Sequence, residues 1–290
     1  MPGKKFGDRK DGKRVPITGL MQCCIDLKPG RLENEVYINK KINVSPLVDF
    51  IKAKNDSGDH FTFFHAFATA IGKTIYNRPK LNQFICNRHL YAHNDVTLAF
   101  VAKMSLDDKS EEIMMIIDIK PEDNITSIKE QISEKVSNLR HKKEKVEKKG
   151  SNSAIDVLGK LPNILRVPVF GIMKFADKHG WIPAALVSDN IYYSSMIISN
   201  LGSIQCGAIY HNLANFGTSS SLATMGEILP TKVLTADGSE EIQQLCEFGI
   251  TLDERIADGF YFAKCAQMIE YLLMNPHLLE EPANAKVIMA

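Results

Sequence analysis

The stretch Thr251-Leu252-Asp253-Glu254-Arg255-Ile256-Ala257-Asp258-Gly259 decides how this chain is read. Ahead of it, residues 248–252 are mostly apolar and read as a strand. Behind it, residues 260–274 carry Phe262, Ala266, Ile269 and Leu273 at helical spacing. Asn275-Pro276 stops that helix. Three acids and an arginine thus occupy the joint between a strand and the start of the last helix, where exposed backbone N–H groups favour a nearby anion. Asp253 and Gly259 are the two ends of the joint.

Working outward, residues 36–44 read as a strand with Val36, Ile38 and Ile42 on one face. Ser45 offers a cap and Pro46 a first helical position, opening a short helix through residue 54, with a turn at 55–58. Phe63, Phe67, Ala70, Ile71 and Thr74 lie at helical spacing, so 61–76 reads as a buried helix. Strands are expected at 81–85, 90–91, 96–104 and 113–119. Residues 96–102 are too continuously apolar for an exposed edge, which places them inside a sheet. Thr126 caps a helix with the stripe Ile128, Ile132, Val136 and Leu139, running into the charged segment that ends at Gly150. Further strands are expected at 192–198 and 220–228. Residues 154–187 are densely apolar, broken by Pro162, Pro168 and Gly171, and include the only tryptophan, Trp181. They read as a pair of short core helices, the alternative being a lid or interfacial helix pair beside a substrate channel. Strands and helices intermix without repeats, which predicts an α/β or α+β class.

Composition narrows the function. The 290 residues hold 35 basic and 34 acidic side chains, a net charge of +1, which gives no electrostatic case for nucleic acid or for an anionic membrane. Six cysteines without Cys-x-x-Cys spacing signal neither a zinc site nor a redox pair, and no metal is expected. Free thiols, a polar basic N-terminus and the absence of a long apolar run point to a cytoplasmic protein without a transmembrane segment. Residues 1–14 read as a flexible arm.

Four segments occur in order: Asn77-Arg78-Pro79-Lys80-Leu81-Asn82, Ile197-Ile198-Ser199-Asn200-Leu201-Gly202-Ser203, Ala223-Thr224-Met225-Gly226-Glu227, and Asp253 to Gly259. In that order and at roughly that spacing they resemble the catalytic domain of dihydrolipoamide acyltransferases, the core subunits of 2-oxoacid dehydrogenase complexes. The fourth is similar to that family's Asp-His-Arg-x-x-Asp-Gly signature. The third is similar to the Thr-Met-Gly strand of the chloramphenicol acetyltransferases, which share the fold. The likeness covers about residues 14 to 280, with 145–190 matching poorly. It implies one acyltransferase-like domain over 15–290 with a divergent insertion at about 145–190. The implied fold is a two-layer α/β sandwich with a mixed sheet, assembled as a homotrimer whose acyl-transfer site lies between subunits. The resemblance leaves no room for a lipoyl domain ahead of it, so no lipoyl group is expected in cis and a dehydrogenase-complex core is disfavoured.

One position departs from the signature, because the family's general-base histidine is Glu254 here. Acyl transfer from a thioester needs a base for the attacking hydroxyl or thiol and a donor for the oxyanion. A carboxylate with an ordinary pKa near 4.3 serves as base only where desolvation raises it. The resemblance assigns the oxyanion donor to Ser199, and the ion pairs that hold the motif loop to Arg255 and Asp258. His211 falls between two matched segments and is the candidate substitute base. Two functions follow as expectations. One is transfer from acyl-coenzyme A, the implied co-substrate, to a small soluble acceptor through an atypical site. The other is a catalytically inactive trimeric scaffold or ligand-binding protein of the same fold.

Overall fold

The computed structural model describes residues 9–103, 112–141, 157–187, 190–235 and 237–289. Its principal sheet has six strands: β2 (Glu35–Asn43), β5 (Val96–Lys103), β6 (Glu112–Ile119), β7 (Met196–Asn200), β8 (Ser221–Leu234) and β9 (Glu240–Asp253). Their spatial order is β2-β9-β8-β7-β5-β6. The pairs β5/β7 and β7/β8 run parallel and the others antiparallel, so the sheet is mixed. β5 lies inside the sheet, between β7 and β6, as its unbroken apolar run predicts.

Four helices cover one face: α2 (Ser45–Asp56), α3 (Phe63–Asn77), α4 (Ile125–His141) and the last helix, Gly259–Met274. α3 is the centre of this layer, and every residue from His65 to Ile75 is buried. Phe67, Ile71 and Ile75 pack into one core with Leu98 and Ile117 of β5 and β6, Ala223 and Ile250 of β8 and β9, and Phe262, Ile269 and Leu273 of the last helix. A smaller sheet, β1 (Gly12–Arg14), β4 (His89–His93) and β3 (Gln83–Cys86), stands apart in the order β1-β4-β3.

Several boundaries differ from the sequence reading, each for a local reason. The arm reading fails from Arg9 onward: Arg9 is buried and β1 is hydrogen-bonded to β4. The rest of that arm, residues 1–8, lies outside the described residues. α4 is capped by Asn124, whose Oδ1 accepts from the N–H groups of Thr126 and Ser127, and not by Thr126. The helix α1 (Gly19–Leu27), capped by Thr18, has no counterpart in the sequence reading; it buries only Ile25 and so has no apolar stripe to read. The β8–β9 hairpin reaches far beyond the strands expected at 220–228 and 248–252. Its outer half, with Thr231, Lys232, Glu240, Glu241 and Gln243, buries no residue and is held by the ladder and by the Lys232–Glu240 ion pair.

The core-helix reading of 154–187 also fails. Residues 163–178 form one helix, α5 (Asn163–Lys178), whose only buried residue is Asp177. Composition cannot separate an apolar helix that is buried from one that lies bare. With this helix numbered, the last, Gly259–Met274, is α6.

Two buried histidines set an acid limit on the fold. His65 Nδ1 accepts from the Thr62 N–H while Thr62 caps His65, closing α3 with a reciprocal box. Burial, with Lys129 adding to it, pushes His65 down to about 4, and burial does the same to His93 despite the Asn82 carbonyl. Both stay neutral in the folded chain, whereas the unfolded chain protonates them near pH 6.5. The unfolded state therefore binds more protons, and stability falls as pH drops from about 6.5 toward 4, at up to about 1.4 kcal/mol per pH unit per site. Thermal melts across that window should show the loss. His65→Gln, which keeps an acceptor in the box, should give a shallower dependence, and an unchanged slope would contradict the assignment.

Candidate active site

β9 delivers the motif. Its last residue, Asp253, lies opposite Glu35 of β2 and is fully buried. A carboxylate there requires cations, and the chain supplies two. Arg255 Nε donates to Asp253 Oδ1 at 2.8 Å and Nη2 to Oδ2 at 2.6 Å, a two-pronged pair in which both side chains are buried. Arg31, also buried, places its Nε 3.7 Å from Asp253 Oδ2. Burial lowers the Arg31 guanidinium from its ordinary pKa; Asp253 opposes this and Arg255 adds to it. The remaining Arg31 donors reach the carbonyls of Ala214, Phe216 and Gly217, and Arg255 Nη1 donates to the Pro29 carbonyl at 2.7 Å. The clamp therefore ties the end of β9 to residues 28–31 and 214–217.

Asp258 takes no part in it. It is exposed and caps α6, its Oδ1 accepting from the Tyr261 N–H at 2.8 Å. The expectation of an Asp258 ion pair is thus corrected: the acid at the other end of the joint, Asp253, has that role. Gly259 opens α6, and no heavy atom lies within 4 Å of where its Cβ would be. Glu254 sits between the clamped residues with its backbone N–H on the Asn34 carbonyl. Its side chain is 45% exposed and pairs with Lys28 at 3.2 Å.

Ser199 lies on β7 and His211 on a strap, residues 206–217, laid over the sheet face opposite the helices. Strand alternation and register put Ser199, Thr224 and Thr251 on that face. The strap is seated by close backbone approach: a Cβ on Gly226 would lie 2.6 Å from the Ala208 nitrogen, and one on Gly202 2.5 Å from the Gly226 oxygen. The glycines of two matched segments therefore press on each other. Farther along, Tyr210 packs on Tyr37 with ring centroids 5.0 Å apart, and the Leu213 N–H donates to Glu35 at 2.6 Å. Beneath the strap, Thr224 Oγ1, Thr251 Oγ1 and Ser220 Oγ are buried without a hydrogen-bond partner, and so is His211 Nε2. Thr224, Thr251 and His211 stand in or between segments quoted from the sequence, but only register brings them together with Ser220.

Register also separates the candidates. Ser199 aligns with Thr224 and Thr224 with Gly249, four residues short of Asp253 and two strands away from it. With about 3.3 Å per residue and about 4.8 Å between strands, the Ser199 and Asp253 Cα atoms are roughly 16 Å apart. The fold does not bring Ser199 and Glu254 of one chain to a common substrate. A cleft of about 420 Å³ opens beside the clamp, lined by Gly30, Arg31, Cys86, Gly217 and Arg255 and by Lys174, Asp177 and Lys178 of α5. A larger hollow of about 670 Å³, with Asp95, Asp118 and Lys120, touches none of the motif residues. Among the described residues no group of His, Cys, Asp or Glu is arranged to hold a metal ion.

No protein-family model and no curated protein matches the sequence. Solved structures do. The cubic core of a pyruvate dehydrogenase multienzyme complex is 15% identical, with a TM-score of 0.60 over 96% of this chain and 98% of that one. The dihydrolipoamide acetyltransferase of Azotobacter vinelandii is 15% identical, with a TM-score of 0.57 over 92% and 93%. A chloramphenicol acetyltransferase is 10% identical, with a TM-score of 0.54 over 90% and 99%. The fold is that of these acyltransferases, a two-layer sandwich on a mixed sheet.

The clamp makes a sharp energetic contrast. Asp253→Ala leaves two guanidinium groups buried without their counter-ion and should cost about 3–5 kcal/mol. Asp258→Ala removes a helix cap and should cost about 1 kcal/mol. Urea unfolding of the two variants measures both, and equal losses would mean that the Asp253 pairs do not hold the loop.

Proposed function

We propose that the protein transfers an acyl group from a coenzyme A thioester to a small soluble acceptor, working as a homotrimer with an atypical base. The separation of Ser199 from Glu254 carries this reading, because a single chain holds two incomplete halves of a site. Apposing Glu254 of one protomer to Ser199 of another would complete it. In the Azotobacter acetyltransferase a serine, a histidine and an asparagine have a role in the catalytic mechanism, the last two four residues apart. Glu254 and Asp258 have that spacing.

In the proposed reaction Glu254 takes the proton of the acceptor hydroxyl or thiol as it attacks the thioester carbonyl. Ser199 Oγ donates to the oxyanion that forms. Collapse breaks the carbon–sulfur bond, and the thiolate of coenzyme A leaves and is protonated. A carboxylate performs this only in a dry channel. One protomer leaves Glu254 half open to solvent, so the neighbouring chain must close that channel.

The Lys28 pair favours a second reading, an inactive scaffold that still binds thioester. Two experiments separate them. Glu254→Gln should abolish turnover of acetyl-coenzyme A while leaving coenzyme A's effect on the melting temperature unchanged. If the rate persists, the base is His211 or another group. If the native protein is inert and Glu254→His gains transfer, the second reading holds. Co-expression of Ser199→Ala with Glu254→Gln tests the assembly. Sites shared between protomers should recover about one quarter of native activity on statistical mixing of the two chains in a cyclic trimer; no recovery would mean that each site belongs to one chain.

A further inference from the structure

Residues 157–187 present a helix whose large apolar side chains are mostly exposed. The attachment is at one end. Asp177 accepts from Tyr193 Oη at 2.8 Å and from the Gly217 N–H at 2.9 Å, and the Arg9 guanidinium reaches both its carboxylate and its carbonyl. From that anchor α5 extends sixteen residues, about 24 Å. Ile164, Leu165, Pro168, Ile172 and Phe175 share one side of it. Ile164 is 83% exposed and Ile172 68%. Trp181 turns back against the helix, its ring 5.9 Å from Phe175 and 4.7 Å from His179, and is itself 62% exposed. Exposed apolar surface gathered in this way marks an interaction site.

Charge identifies what would cover it. The whole chain is nearly balanced, with 35 basic and 34 acidic residues. Residues 157–187 hold Lys160, Arg166, Lys174 and Lys178 against one acid, Asp177, which is buried at the anchor. Among the described residues none of those four cations is in an ion pair. An apolar ridge rimmed by cations alone, with a tryptophan at its end, suits the interface of an anionic bilayer. There the ridge enters the acyl boundary, the indole sits at the headgroups, and lysine and arginine reach lipid phosphates. No described helix is long and apolar enough to cross a membrane, so the helix would lie in the surface.

We propose that α5 with Trp181 is a docking element that seats this protein on an anionic membrane surface. Trp181 is the only tryptophan in the chain and reports on the arm directly. With vesicles of phosphatidylcholine containing about one-third phosphatidylserine, the full-length protein should sediment and its emission should move to the blue. Pure phosphatidylcholine vesicles should bind it about tenfold less, and raised salt should weaken binding to the anionic ones. Ile172→Glu with Phe175→Glu should remove binding, and Lys174→Glu with Lys178→Glu should weaken it several-fold. All four side chains face solvent, and melting temperatures equal to the native value confirm that folding is intact. Protein left in the supernatant with unshifted emission overturns the proposal. So does a blue shift that grows with protein concentration in the absence of vesicles and is lost in Ile172→Glu, because the ridge would then be covered by a second copy of the chain.

Discussion

A carboxylate with no solvent exposure, held between two buried guanidinium groups, is the constraint on which the site depends. Asp253 is the last residue of β9, and its pairs with Arg255 and Arg31 fix where the sheet ends and α6 begins. The same two arginines gather the carbonyls of residues 28–29 and 214–217, so three segments distant in sequence become one wall. Pairs of this kind add little net stability over a well-packed apolar core, but breaking one is costly, and that makes them suited to fixing a conformation. Between the two clamped residues, Asp253 and Arg255, the side chain of Glu254 faces outward. In the proposed reaction the clamp is the rigid mount for that side chain.

The opposite face of the sheet follows a second constraint, the contact between Gly202 and Gly226. No side chain fits between them, and that contact lets the strap descend onto β8 and β9. The strap covers the strand hydroxyls of Thr224 and Thr251 and carries His211, whose Nε2 is buried as well. A fully apolar strap over apolar strands would have been simpler to stabilise.

Much of this is legible in the sequence, and the misses share a cause. The signal is strong where burial imposes a period: α3 through Phe67 and Ile71, β5 through its unbroken apolar run, and α6 through Phe262 and Ile269. The matched segments mark the ends of β7 and β9, at Asn200 and Asp253, and the irregularity in β8 at Gly226. Reading fails where structure is set by partners distant in sequence. β1 exists because β4 accepts it, the outer β8–β9 hairpin because each strand supplies the other's hydrogen bonds, and the exchange of roles between Asp253 and Asp258 because Arg31 arrives from 222 residues upstream of Asp253. The apolar texture of 154–187 is visible but ambiguous, since composition does not say whether an apolar helix has a partner.

The proposed site needs two chains, and proximity tests this without reference to activity. Cysteines introduced by Ser199→Cys and Glu254→Cys, in a background lacking Cys23, Cys24 and Cys206, can be bridged by a short bismaleimide. Within one chain Glu254 follows Asp253, whose backbone lies roughly 16 Å from that of Ser199, beyond a linker of a few ångström. Covalent ladders of two and three chains are expected when the pair is present, and none with either cysteine replaced. Efficient bridging within single chains, or none at all in an assembled protein, would contradict a site shared between protomers.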